Sequence, residues 1–327
     1  MHELILNLLQ DHPGAALARF PLDDGALLCL FHGGACPRWI AKTAAGEAGI
    51  RRLRAEAAAL EQLEPWVDIL NIPRRLGWHD AAGAPDELAC LVQSGVDGTP
   101  AAGVCDLRRP WAALPDETRR IAAWLRRFQV TVPPPRACTL ADLERQARRQ
   151  AEDACSSHSE YAPLLRSALA ALPPLPEPSR PATAIHGDFW SGNVLWDSKR
   201  DPSRAVGVID WSGFGAGTAL EDLLTWTAHL GARGRLRSRL ERWRVLFFSP
   251  GTTRDFLRGW SAGCGFGDSL ARWAFYLFLL RRMGWELGLG LQARDDTERA
   301  TAQRDWTEIA AWLAQHRHPD PFTPMPV

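Results

Sequence analysis

The sequence predicts an α+β protein in two parts, a small strand-rich part followed by a larger, mainly helical one. Three observations carry this expectation. Short apolar runs broken by Gly, Pro and Asp crowd the first hundred residues; a 3.6-residue apolar period dominates from Asp116 onward; and three compact apolar runs interrupt the helical stretch between residues 183 and 211. A length of 327 residues is enough for two domains, or for one large unit of two lobes with separate cores.

After a helix-like N-terminal segment, residues 15–20 (AALARF), 25–32 (GALLCLFH) and 38–43 (RWIAKT) read as strands, with PLDDG and HGGACP as the turns between them. An Ala- and Leu-rich stretch from Glu47 to Leu63 places Ile50, Leu53, Leu60 and Leu63 at helical spacing. IPRRLGWH and ELACLVQ supply two more strands, for five in all. The Gly and Pro of SGVDGTP suit a hinge at about residues 92–99, which divides a lobe of residues 1–97 from one of residues 98–327. Pro115 and Asp116 open a helix with Ile121, Trp124, Leu125 and Phe128 on one face, and VTVPPP closes it. Two helices follow between Leu140 and Leu172, ended by the proline-rich LPPLPEPSRP. TAIH, NVLWD and AVGVIDW are strands, residues 221–315 are helical, and HPDPFTPMPV is a loose tail.

The composition narrows the partners. Lys plus Arg and Asp plus Glu balance at 38 each, so no global field draws the chain to nucleic acid or to an anionic membrane. The seven cysteines are scattered without a CxxC pair, which argues against a disulfide framework and a structural zinc site. The N-terminus lacks a basic leader with a cleavage site, and no apolar run reaches the length of a membrane span. The expectation is a cytoplasmic protein, monomer or homodimer, acting on a small molecule.

The chemistry is concentrated in AIHGDFWSGNVLWD, residues 184–197. Asp188 sits in a loop after one apolar run, Asn193 five positions later at the start of the next, and Asp210 at the end of VGVID. Polar groups at the ends of neighbouring strands converge. A carboxylate to take a hydroxyl proton, with an amide oxygen and a second carboxylate as hard ligands, is what Mg-dependent phosphoryl transfer requires.

HGDFWSGN resembles the catalytic loop of the aminoglycoside phosphotransferase and choline kinase families, relatives of the protein kinases, and Asp188 and Asn193 keep the D-x-x-x-x-N spacing of the kinase loop. VGVIDW resembles the metal-binding strand of the same families. The resemblance implies a protein-kinase-like fold of two lobes, with ATP and Mg²⁺ as cofactors, Asp188 as the catalytic carboxylate and Asn193 and Asp210 as the metal ligands. It also implies a lysine on the third strand bridging the α- and β-phosphates, held by a glutamate on the following helix; Lys42 and Glu56 match. Lys42 is one of only two lysines against thirty-six arginines, and a compact ammonium fits between phosphate and carboxylate where a forked guanidinium does not. Period-two alternation places Ile40 on the face of Lys42, toward adenine or ribose. Gln93 and Val96 are expected to pass the adenine, chiefly through their backbone.

The chain departs from the protein-kinase pattern in lacking a G-x-G-x-x-G before the lysine strand, in having Ser212 two residues after Asp210, and in lacking an activation-loop segment, which disfavours a protein substrate. His186 reads as structural, and Lys199 as a solvated turn residue. Most of the fifteen tryptophans fall at core positions; Trp190 in the loop, and Trp285 beside Glu286 in RRMGWELG, are the candidates for the acceptor, with Glu286 attracting an ammonium and Trp285 walling it. The acceptor classes implied are aminoglycosides and other antibiotics, amino sugars, and amino alcohols. The alternative is a nucleotide-binding module, or pseudokinase, without transfer.

Overall fold

In a computed structural model, residues 16–22, 25–31, 36–80, 88–101, 116–197, 199–201, 204–230, 238–289, 296–316 and 319–322 are described; the N-terminal helix-like segment and most of the tail lie outside them. The fold is α+β, with an N-terminal antiparallel sheet and a larger helical part. The chain packs as two compact units, one of Met1–Cys105, Asp116–Pro135 and His186–Gly215, the other of the remaining segments. This division differs from a single cut near residue 97, because two later segments are bonded to the N-terminal one. Thr99 and Pro100 pair with Trp196 and Leu195, Val208 N–H donates to the Asn71 carbonyl (3.3 Å), and the Trp124 indole N–H donates to the Leu70 carbonyl (2.8 Å).

In the first unit, strands β1 (Ala16–Leu22), β2 (Gly25–Phe31), β3 (Trp39–Ala44), β4 (Arg75–His79) and β5 (Ala89–Ser94) form one antiparallel sheet in the order β1-β2-β3-β5-β4. The five expected strands are all present, with ends moved by one to three residues. Ala41, Cys90 and Val92 pack on one face of the sheet, with Leu28 against them. Alternation sends Ile40 and Lys42 to the other. Helix α1 (Gly46–Leu63) buries Gly49, Leu53, Glu56, Ala57, Leu60 and Leu63, a stripe at three- and four-residue spacing that contains a carboxylate. A one-turn helix, α2 (Val67–Leu70), ends at Asn71, whose left-handed backbone (φ 53°) turns its carbonyl toward the later strands.

The remaining parts of this unit are β6 (Thr99–Pro100), α3 (Asp116–Thr131) and the hairpin of β8 (Val194–Trp196) and β9 (Val206–Val208). Trp124 and Phe128 of α3 stack (5.5 Å between ring centroids) and meet Phe189 and Trp211, so the predicted apolar face of this helix covers the segments that flank the hairpin. In the other unit, β7 (Thr183–Ile185) leads into the catalytic loop, α4 (Leu140–Ser157) begins at a capping box formed by Thr139 and Asp142, and α5 (Ala162–Ala171), α6 (Glu221–His229), α7 (Arg239–Trp243), α8 (Thr252–Gly263), α9 (Asp268–Gly284) and α10 (Asp296–Gln315) form the helical bulk. Trp226, Trp243, Trp273 and Trp312 are buried, as core packing predicts.

Glu286 and Trp285 depart from expectation. Glu286 is 2% exposed; its Oε2 accepts from Arg239 (2.5 Å) and from the Trp306 indole N–H (2.7 Å), and its Oε1 from Arg282 (2.7 Å). Arg239 also reaches Asp305 (3.4 Å). Both oxygens of this buried carboxylate are already engaged by donors of the protein itself, as in a structural ion-pair node. Trp285 is 43% exposed, with the Arg282 guanidinium 4.8 Å over its ring, so one indole face already holds a cation. The sequence could not reveal this, since the partners stand 47 and 20 residues away.

Burial works to raise the Glu286 pKa, but the two arginines outweigh it and lower the group from its ordinary 4.5 to about 2. A depressed folded pKa gives stability that is full above the unfolded value and lost as pH falls through the folded one. The difference corresponds to about 3 kcal/mol. Glu286→Gln is therefore expected to be less stable than wild type by about that amount in denaturant titration at pH 7. The gap should shrink steadily between pH 4.5 and pH 2; a gap independent of pH refutes the charge assignment.

Candidate active site

Lys42, Glu56, Asp188, Asn193 and Asp210 all fall in the first compact unit. Lys42 Nζ donates to both oxygens of Glu56 (2.7 and 2.8 Å) and stands 3.8 Å from Asp210 Oδ1. The Lys42 side chain is 17% exposed, that of Glu56 3% and that of Asp210 40%. Glu56 also accepts the backbone N–H of Trp211. One carboxylate thus joins β3, α1 and the turn after β9.

The electrostatics follow from this crowding. Burial opposes the charge on Lys42, but Glu56 and then Asp210 outweigh it and hold the ammonium above its ordinary pKa. Burial lifts Glu56 above the usual carboxylate range, Lys42 pulls it back, and Asp210 adds to the rise. Asp210 is the reverse case: burial works upward, while Lys42, His186 and Ser212 prevail and hold it below its ordinary value. Of these two carboxylates, Asp210 is the one held below its ordinary range. Ser212, the departure from the kinase pattern, donates its hydroxyl to Asp210 Oδ1 (3.2 Å).

Asp210 adopts φ 64°, a left-handed backbone that Asp tolerates better than most residues. The turn that follows is a short 3-10 segment, Trp211–Gly213. The loop that carries Asp188 is tied to it at several points. His186 Nε2–H donates to the Ile209 carbonyl (3.0 Å), while its Nδ1 accepts from the Asp188 backbone N–H (3.3 Å), which specifies a neutral imidazole protonated at Nε2. Burial lowers the His186 pKa against the pull of Asp188 and Asp210. The ring is fully buried and packs edge-on to Trp211 (4.7 Å), in keeping with the structural role expected for it.

Two glycines are required by close approach. Gly187 has φ 84°, and a Cβ on it would overlap the Gly213 carbonyl oxygen; a Cβ on Gly192 would overlap the Trp190 indole, which lies across it. Trp190, 36% exposed, is thereby a cover on the loop. Asn193 donates its amide nitrogen to the Asp188 carbonyl (3.0 Å) and to Asp188 Oδ2 (3.2 Å), leaving Oδ1 as the donor atom it can offer a metal. The Ile209 N–H donates to the Asn193 carbonyl (2.9 Å), aligning the loop with the end of β9.

The other predicted positions are also located. Ile40 is half-buried on the Lys42 face; Gln93, directly opposite it on β5, is buried. Val96 is buried with its Cγ1 beside Gly207 of β9. Lys199 is exposed, its backbone N–H bonded to Asp197.

A family model described as the phosphotransferase enzyme family matches residues 26–260. The chain belongs to this family. Viomycin phosphotransferase of Streptomyces vinaceus is 40% identical over 63 residues, which is 19% of this chain and 21% of that protein, so the match spans about a fifth of that relative's length. Among solved structures, the GDP and kanamycin complex of APH(2″)-IIIa is similar at a TM-score of 0.59 and 16% identity, over 95% of this chain and 99% of that one. Choline kinase from Cryptosporidium parvum is similar at 0.60 and 11% identity, over 98% and 99%. These likenesses show the protein-kinase-like fold.

Removing one partner of a buried ion pair leaves a charge without compensation, at about 3–5 kcal/mol. Lys42→Met should cost stability of this size, and Lys42→Met with Glu56→Gln should recover at least half of it, measured by chemical denaturation at pH 7. A double variant as unstable as the single one would mean that Lys42 is not what balances Glu56.

Proposed function

We propose that this protein transfers the γ-phosphoryl group of ATP to a hydroxyl of a small molecule. The observation that carries the reading is the convergence of Lys42, Glu56 and Asp210, with Asp188 and Asn193 bonded to each other on the adjoining loop. Five residues spread over 169 positions meet in the arrangement that phosphoryl transfer needs, which is chiefly positioning and charge neutralisation.

Lys42, braced by Glu56, neutralises the α- and β-phosphates. Asp188 orients the acceptor hydroxyl and takes its proton as the new O–P bond forms and the bond from the γ-phosphorus to the β-phosphate oxygen breaks, releasing ADP. Asp210, ionised, and Asn193, through Oδ1, are the oxygen donors that would hold Mg²⁺. Mg²⁺ commonly completes its shell with water and phosphate oxygens beside one or two carboxylates. Bound there, the ion would supply positive charge beside the phosphates.

The acceptor classes proposed are an antibiotic, an amino sugar or an amino alcohol. The local match to viomycin phosphotransferase favours an antibiotic, and viomycin, kanamycin and choline head the panel to be tested by ADP release. Nucleotide binding without ADP release across that panel would favour the regulatory-module alternative.

Lys42→Arg is expected to lower turnover at least about a hundredfold in a folded protein, since charge is kept and its position is not. Asp188→Asn should bind nucleotide almost as wild type yet fail to transfer, whereas Asp210→Asn should lose productive Mg-nucleotide binding. Calorimetric titrations with equal losses for both aspartate variants would contradict this division of roles.

A further inference from the structure

Gln93 is a buried polar side chain that the described residues leave partly unused. It stands directly opposite Ile40 across the β3–β5 ladder, and cross-strand partners share a face, so it lies on the face of Ile40 and Lys42. It is 1% exposed, and its Oε1 has no hydrogen-bond partner among the described residues. Such an oxygen is costly, and Met or Leu would fill the same volume without the cost.

The donors nearby on this face are committed. Lys42 is held by Glu56, and Arg75, which pairs with Gln93 from β4, reaches Glu61 (3.1 Å). Leu91, opposite Lys42, is buried and apolar, and Ile40 is apolar. No donor among the described residues is assigned to this oxygen, and a ligand entering beside it can supply one. One residue later β5 reaches its end at Ser94, and Val96 beyond it packs on β9, so Gln93 stands at the junction of the sheet with the segment expected to pass the nucleobase.

We propose that Gln93 reads the base: its Oε1 accepts a hydrogen bond from the exocyclic amine of adenine, and its Nε2 donates to N7, an edge on which a 6-oxo purine presents two acceptors that no rotation of the amide can satisfy together. This rests on the nucleotide-binding role proposed above. An amide offers an acceptor beside a donor, and the adenine edge offers the complementary donor beside an acceptor. A 6-oxo purine places an acceptor against Oε1, so the oxygen stays unsatisfied and meets a second lone pair.

ATP and inosine triphosphate, which differ in this one group, make the test. Calorimetric titration of the Mg²⁺ complexes into the wild-type protein is expected to give at least roughly tenfold tighter binding of ATP. Gln93→Met is expected to bind the two alike, with its affinity for ATP reduced roughly tenfold and its ligand-free Tm equal to or above wild type. Equal binding of the two nucleotides by wild type overturns the proposal without the need of any variant, as does preference for the 6-oxo purine or discrimination that survives in Gln93→Met. If neither nucleotide binds wild type, the nucleotide site falls, and the Gln93 proposal with it. That outcome is distinct from tight, indiscriminate binding of both, which refutes Gln93 alone.

Discussion

The buried carboxylate of Glu56 is the constraint around which the first unit is organised. A negative charge in the apolar stripe of a helix is tolerable only if donors reach it, and the donors come from elements far apart in the chain: the ammonium of Lys42 on β3 and the backbone N–H of Trp211 after β9. Satisfying it sets the register of α1 against the sheet. It also draws the turn that carries Asp210 to within 3.8 Å of the same ammonium. The helix, the lysine strand and the Asp210 turn are placed by one requirement.

Glu286 and Glu56, two of the glutamates buried among the described residues, meet that requirement in opposite ways. Glu286 is enclosed by two arginines and an indole, each a rigid donor with a fixed direction, and both oxygens are consumed. Glu56 is met by a lysine, whose three rotatable donors leave charge to share with Asp210 and with whatever enters beside it. In a chain that otherwise uses arginine almost throughout, the choice of cation separates a structural node from a reactive one.

Much of this was legible in the sequence because it is written in short-range patterns. Strand alternation located Lys42 and Ile40 on one face, and the five-residue interval from Asp188 to Asn193 is the reach that lets one side chain bond the other. Glu56 was found through the resemblance to the kinase-like families, as the glutamate on the helix after the lysine strand, and its burial became visible only in the fold. What was not legible depends on partners remote in sequence. The enclosure of Glu286, the joining of Leu70 and Asn71 to Trp124 and the later strands, and the resting of Trp190 on Gly192 are tertiary facts with no local period. Ser212 looked like a departure from the kinase pattern; in space it is a hydroxyl that helps hold Asp210 below its ordinary range. Gln93 seemed uninformative because hinge segments bond through backbone, and only its burial without a partner gives its side chain meaning.

The contact of Gly187 with Gly213 has a consequence for how such a protein can diversify. The spacing between the Asp188 loop and the Asp210 turn is set by main chain lying on main chain, with no side chain interposed. Close-packed backbone is among the least compressible parts of a protein, and its dimension does not depend on rotamer choice. Surrounding positions can exchange side chains, and so drift toward a different acceptor, without altering the distance between the two carboxylate-bearing segments. A single methyl group at Gly187 would alter it at once, so the freedom to evolve elsewhere is underwritten by two positions with almost none.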